Sequence, residues 1–180
     1  MEVSSSKRFW DNVVEQFYNK YKGLYKWHIH LLNTVVATGQ WVNPTGRIYK
    51  FERQKNPWNQ QLEWPRTQIL NYPVQGLAAD IMAIVRVLLY SDLVSAGLLE
   101  QCRLISTVHD SILLDIPSEL CYTIGMKVQK AFDDVPEAFE ALFGIPFDLP
   151  YRCEITVGPN KKDMIPWVAD ASAQMPTLVT

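Results

Sequence analysis

Residues 102–116 read CRLISTVHDSILLDI. β-Branched residues crowd both halves and Pro117 stops the second, so the pattern predicts a β-hairpin. Its tip falls at His109-Asp110. A two-residue turn needs positive φ and favours Asn-Gly, Asp-Gly or Gly-X, so His-Asp is poor turn chemistry. Local misfits of this kind are where functional sites are expected. With Val108 paired to Ser111, one face carries Ile105, Thr107, Ile112, Leu114 and Ile116 and is expected to be buried. The other carries Ser106, Ser111 and Asp115, facing solvent or a polar ligand. Asp110 then projects from the end of the hairpin. A carboxylate on a rigid tip suits Mg²⁺, a hard cation that prefers oxygen and takes few protein ligands. A solvated turn aspartate is the bland reading, and a His-Asp pair alone does not decide between them.

On the N-terminal side of this hairpin, the spacing predicts a helix opening at Pro73, a favoured first helical position, and ending at Gly97. Leu77, Ile81, Ile84, Val85, Leu88 and Leu89 form its buried stripe. Residues 40–52 (QWVNPTGRIYKFE) read as a ribbon turning at Pro44-Thr45-Gly46, and residues 53–66 (RQKNPWNQQLEWPR) as an ordered loop without periodicity. Residues 6–38 are helical in pattern, with Ser4–Ser6 available as cap, a break at Gly23 and a stop at Gly39. Seven aromatic residues lie between Phe9 and Trp27 and read as a core stripe. On the C-terminal side follow a helix capped by Ser118 and running to Phe132, a short helix from Pro136 and a strand over 151–157. The expected fold is α+β: a small antiparallel sheet, made of the hairpin plus the C-terminal strand, packed on helices. The tail, 171–180, is expected to be flexible.

With 180 residues the chain has room for one domain with a real core. Lys plus Arg total 17 and Asp plus Glu 19, a net charge of −2. A stand-alone nucleic-acid-binding domain is usually basic, so any DNA contact must be local or shared with another chain. Cys102, Cys121 and Cys153 are odd in number and widely spaced, which fits neither a disulfide framework nor a metal site and suits a reducing compartment. No apolar run is long enough to cross a membrane, and the first residues do not form a signal peptide. The expected setting is cytoplasmic, or the host cytoplasm for a viral source.

The segment Asn71-Tyr72-Pro73-Val74-Gln75-Gly76-Leu77-Ala78-Ala79-Asp80 resembles the pattern Asn-x-Pro-x-Gln-Gly-x-Ala-Ala-Asp of the family A, polymerase I-like DNA polymerases. Thr107-Val108-His109-Asp110 is similar to that family's hairpin motif Val-His-Asp-Glu. Thr45-Gly46-Arg47 resembles its Thr-x-Gly-Arg ribbon with one residue deleted, and Glu154–Asn160 its closing strand. The resemblance implies the C-terminal part of a polymerase palm over 1–170, with 6–38 as the segment following the fingers' nucleotide-binding helix. It implies two-metal nucleotidyl transfer with Mg²⁺, and Asp110 as a metal-binding carboxylate with His109 beside the primer end. Asn71 and Gln75 would donate to acceptors that every base pair offers in the minor groove. Arg47 and Arg66 would contact phosphates, which position a duplex without reading it. Lys50, Arg53 and Lys55 form a further small basic cluster.

The resemblance also exposes gaps. The second essential aspartate (Asp-x-Ser-x-x-Glu) and the nucleotide-binding Lys-x-x-x-Phe-Gly-x-x-Tyr-Gly helix do not occur in this sequence, nor does an exonuclease motif. Primer-template DNA and dNTP are thus implied ligands, and a second polymerase chain carrying the missing palm motif, fingers and thumb is an implied partner. Where the family has Glu after the hairpin Asp, Ser111 stands here, so that position loses any carboxylate role. Asp80 and Asp115 read as structural. The alternatives are a catalytically inactive DNA-binding remnant and a fragment of a single-subunit phage-type RNA polymerase, which shares the palm and resembles the His-Asp-Ser tip.

Overall fold

The fold is taken from a computed structural model that describes residues 6–169. The expected flexible tail and the capping residues Ser4 and Ser5 lie outside them. The chain forms two compact units, Met1–Gly76 and Leu77–Thr180.

The first unit opens with helices α1 (Lys7–Lys20) and α2 (Lys22–Thr38). The break falls at Tyr21, ahead of the expected Gly23; Tyr21 leaves helical geometry (φ −110°, ψ 62°) while its N–H still donates to Phe17 O. Gly39 ends α2 in the left-handed conformation, φ 73°, as expected of a glycine just past a helix end. The core-stripe reading fails for α1, which buries no residue. Phe9, Trp10, Val13, Val14, Phe17, Tyr21 and Tyr25 are all exposed. Helical spacing gathers apolar side chains on one face, and it does not say whether this chain supplies anything to cover it. The unit's core is small: Leu31 and Val35 of α2 close on Phe51 and Ile69, edged by Trp27, Trp41 and Trp64.

Strands β1 (Gln40–Val42) and β2 (Ile48–Lys50) pair antiparallel and form the expected ribbon. Its turn is closed by the Asn43 N–H donating to Arg47 O and the Gly46 N–H to Asn43 O, with Gly46 at φ 80°. Residues 53–66 are more regular than a loop. β3 (Gln54–Lys55) and β4 (Leu62–Glu63) pair in a second small hairpin, which sequence periodicity could not reveal because the ladder has only two rungs.

Helix α3 (Arg66–Ser95) also departs from expectation, since Pro73 lies inside it and not at its start. Proline there removes one ladder bond, to the carbonyl four residues earlier. The helix runs on because flanking residues hold it: Ile69 is fully buried, and the side chain of Asn43 donates from the ribbon to Pro73 O at 2.7 Å.

In the second unit, Ile81, Ile84, Val85 and Leu89 of α3 are buried and Leu77 and Leu88 partly so, as the stripe predicted. α3 ends in paired bonds, Leu98 N–H to Leu93 O and Gly97 N–H to Val94 O, with Gly97 at φ 68°. Strands β5 (Arg103–Val108) and β6 (Ser111–Asp115) form the predicted hairpin, with Val108 opposite Ser111. Chain then passes through a 3₁₀ turn at Ser118–Leu120, where Ser118 makes no side-chain cap, into α4 (Cys121–Asp133). α5 (Val135–Phe143) follows directly, with Pro136 in its first turn. Ile124, Phe132, Val135 and Phe139 of these helices meet α3 in one core. Near the C-terminus, β7 (Thr156–Val157) is shorter than the expected strand, and it pairs with β8 (Ile165–Pro166) instead of joining the hairpin. The Trp167 indole packs against α4 at Gly125, where an added Cβ would lie 2.3 Å from the ring. The architecture is α+β, helices with small two-stranded antiparallel sheets.

Candidate nucleic-acid interface and hairpin carboxylate

In the second unit the hairpin carries His109 and Asp110 at its tip, both exposed. His109 adopts φ 53°, a conformation that costs a residue with a Cβ about 1–2 kcal/mol. The turn is tied by Ser111, whose hydroxyl donates to Val108 O at 2.9 Å. Ser111 is therefore a structural clasp at the position next to the aspartate. Among the described residues, no hydrogen bond or ion pair engages the Asp110 carboxylate. Its charge reaches Tyr151, whose phenol is pushed up first by burial and then by Asp110. Tyr151 is itself held in place, stacked on Phe132 at 5.6 Å and donating to Met82 Sδ.

The face assignment of the hairpin needs correction on β5. Leu104 pairs with Leu114, but Ser106 pairs with Leu113, so Ile105 is an extra residue. The bulge places Leu104 opposite Leu114 and drops Ile105 out of the ladder, so Leu104 is half-buried and Ile105 is 58% exposed. Thr107 keeps its expected pairing with Ile112 and is nevertheless exposed, and Ser106 is half-buried. On β6 the expectation holds: Ile112, Leu114 and, just beyond, Ile116 pack on the core, and Ser111 and Asp115 face out.

Among the described residues, no group of three or more His, Cys, Asp or Glu side chains comes together to hold a metal ion. One carboxylate on a fixed tip suits a Mg²⁺ ion that takes its remaining oxygens from water, phosphate and a second carboxylate. Asp110 fits as one ligand of such a site and does not complete it. The three cysteines are free, and burial pushes each thiol up, away from the thiolate form that metals and nucleophilic chemistry require.

The remaining candidates lie in the first unit. Asn71 and Gln75 sit one helical turn apart on α3, exposed, with no side-chain hydrogen bond among the described residues. The backbone beneath them is fixed by contacts that sequence reasoning missed. Tyr49 of β2 lies against Gly76 so closely that an added Cβ would be 1.5 Å from its hydroxyl. Asn43, 4% exposed, accepts from Trp41 Nε1 at 2.9 Å and donates to Pro73 O. The only sequence hint was the glycine after Gln75, since a helix-interior glycine asks for a close neighbour. Arg47 is exposed beside the ribbon turn. Arg66 is exposed at the start of α3, and with burial its charge holds His28 below the ordinary imidazole range.

Division into units also revises the charge reading. Met1–Gly76 holds ten Lys and Arg against five Asp and Glu, and Leu77–Thr180 holds seven against fourteen. The near-neutral chain is thus a basic unit, carrying Asn71, Gln75, Arg47 and Arg66, joined to an acidic one carrying Asp110.

Residues 2–163 match the profile of DNA polymerase family A. The chain is 30% identical over 96 residues to a DNA polymerase of Bacillus phage SP01, a match covering 53% of this chain and 10% of that protein. It is 24% identical over 147 residues to DNA polymerase I of Deinococcus radiodurans, covering 82% of this chain and 14% of the relative. Its fold is similar to that of the POL domain of Pol1 from M. smegmatis, in complex with DNA primer-template and dNTP. That similarity has a TM-score of 0.66 at 20% identity, over 82% of this chain and 24% of the other. The chain thus spans about a tenth of the length of the curated relatives it matches. Among the described residues, no helix is long and apolar enough to cross a membrane.

Proposed function

Because the chain belongs to DNA polymerase family A, we propose that it is the C-terminal palm segment of a DNA-directed DNA polymerase, supplying one metal-binding carboxylate and part of the primer-template surface. The observation that carries this reading is the unengaged Asp110 carboxylate on a strained two-residue tip, a conformation kept against its own cost. Asp110 would be a Mg²⁺ ligand, with His109 beside the primer end. When bound, Mg²⁺ supplies Lewis-acid activation of the primer hydroxyl and neutralises charge on the α-phosphate. Asn71 and Gln75 would donate to minor-groove acceptors common to all base pairs, which tests pairing without selecting sequence. Arg47 and Arg66 would hold phosphates.

The segment is incomplete as chemistry. A second carboxylate and a nucleotide-binding helix must come from a second polymerase chain or from more of the same one. The exposed aromatic face of α1 supports that requirement: Trp10, Val14, Phe17 and Tyr21 follow helical spacing and are exposed among the described residues. Residues 6–38 would then be the post-fingers segment that the missing part packs against.

The test is complementation. The chain is captured from its source, co-purifying proteins are identified, and primer extension with Mg²⁺ is measured on the assembly. Asp110→Ala is expected to lower extension about a thousand-fold, the several kcal/mol a catalytic metal contributes. Extension indifferent to Asp110→Ala would sink the catalytic assignment. DNA binding without extension would identify a non-catalytic remnant, and a preference for ribonucleotides an RNA polymerase.

A further inference from the structure

Trp58 is 90% exposed, more than any other large apolar residue among the described ones. It sits on a tip, residues 56–61, whose backbone is closely held. The Asn56 N–H donates to Gln61 O and the Gln60 N–H to Asn56 O, both at 2.9 Å. Asn56 Oδ1 accepts from the Trp58 N–H, and Asn59 Oδ1 from the Gln61 N–H. Both asparagine amides then donate to one carboxylate, Glu63, at 3.0 and 2.8 Å, and Gln60 Nε2 donates to Pro57 O. Gln60 takes φ 59°, a conformation costly for any residue with a Cβ. A hairpin with only two ladder rungs is thus stiffened by its side chains, and what it presents is one indole.

The surroundings of that ring narrow its use. A protein-binding hot spot sits in an apolar patch that excludes water. The tip that carries Trp58 is otherwise Asn56, Pro57, Asn59, Gln60 and Gln61, with Arg53 and Lys55 earlier on the same hairpin and Leu62 the one apolar side chain of its strands. Arg53 is anchored with its guanidinium over the Trp64 ring, 5.7 Å from the centroid. An aromatic face among cations and amides, on a unit with twice as many basic as acidic residues, is the composition that binds unpaired nucleotides by stacking. We propose that Trp58 is a stacking platform for an unpaired base of single-stranded nucleic acid, with Lys55 and Arg53 taking the flanking phosphates. Stacking needs an open base face, so duplex is not its ligand. This inference rests on the nucleic-acid-binding reading above and adds a single-strand subsite to it.

Binding of the full chain to fluorescein-labelled oligo-dT and to a covalently closed circular duplex, which has no terminal base face, each at several salt concentrations, tests it. Trp58→Ala is expected to weaken oligo-dT binding about ten-fold or more, the usual loss for one stacked base. The salt dependence should be unchanged, because no charge is removed, and duplex binding should be unaltered. Trp58→Phe should keep most of the affinity, and equal far-UV dichroism of all variants checks that the hairpin persists. The paired change Asn71→Ala with Gln75→Ala should weaken duplex and spare oligo-dT. If duplex responds to those amides while oligo-dT ignores Trp58→Ala, the stacking inference alone falls. A Trp58→Ala loss that is equal for duplex and oligo-dT also overturns it, as does an effect of Trp58→Ala confined to assembly with a protein partner. If the parent chain binds neither probe, the inference falls together with the reading beneath it.

Discussion

The second unit buries twelve residues in one core drawn from α3, α4, α5 and the connections between them, whereas the first buries four hydrophobic ones and leaves the whole of α1 without a buried side chain. Composition differs between the units, with 30 apolar residues of 76 in the first and 56 of 104 in the second, and closure differs as well. In the second unit α4 and α5 cover the stripe of α3, and Trp167 seals α4. In the first, the ribbon and α2 cover one end of α3, and α1 meets α2 through Tyr18 against Tyr25 and His28 without burying a residue. A stripe at helical spacing therefore gathers apolar side chains on one face, and leaves open whether this chain covers it.

Substitutions can break that contrast. The largest effect is expected in the closed unit: Leu89→Ala, at a side chain 1% exposed, should lower unfolding stability in urea by about 2–5 kcal/mol. Phe17→Ala on α1, 46% exposed, should change the stability of the isolated chain by no more than about 0.5 kcal/mol. The same variant should weaken capture of a co-purifying polymerase chain by about 2 kcal/mol, as an aromatic anchor does. Equal losses from Leu89→Ala and Phe17→Ala in the isolated chain would mean that α1 is already part of a closed core.

The smallest expected effect is local. Asn56 and then Asn59 hold the Glu63 carboxylate below its usual range. A carboxylate whose folded pKa is depressed binds fewer protons folded than unfolded between the two values. Its contribution is complete above the unfolded pKa, about 4.3, and disappears as pH falls through the lower folded one. Backbone amide shifts of residues 56–61, followed in an acid titration, should report the tip loosening only below that range. Asn59→Ala should bring the transition to higher pH, and an unmoved midpoint would remove Asn59 from the clasp.

Much of this organisation was legible in the sequence, and the failures have physical causes. The hairpin, the Val108–Ser111 pair and the strained tip followed from β-branched runs, Pro117 and a His-Asp pair where glycine belongs. The buried stripe of α3 followed from its spacing. Ile105 was misplaced because a bulge is one extra residue with no marker of its own here. Pro73 misled because proline at a helix start is the common case, and the Asn43 amide that braces it lies thirty residues away along the chain. β3 and β4 were invisible because amide-to-carboxylate bonds between side chains hold them, not an apolar pattern. The charge balance misled because a sum over the chain cancels a basic unit against an acidic one. Asp110, His109, Asn71, Gln75, Arg47 and Arg66 are candidates that rest on motif order, and the structure adds what buttresses the backbone beneath Asn71 and Gln75, Tyr49 against Gly76.

The left-handed His109 has a consequence for how this protein can change over generations. Glycine at that position would relax the backbone, and asparagine would suit it better than histidine. Selection for folding alone would therefore erase the histidine early, and a screen for heat-resistant variants would be drawn to the same codon. The imidazole at this position is a cost to folding that stability alone does not repay.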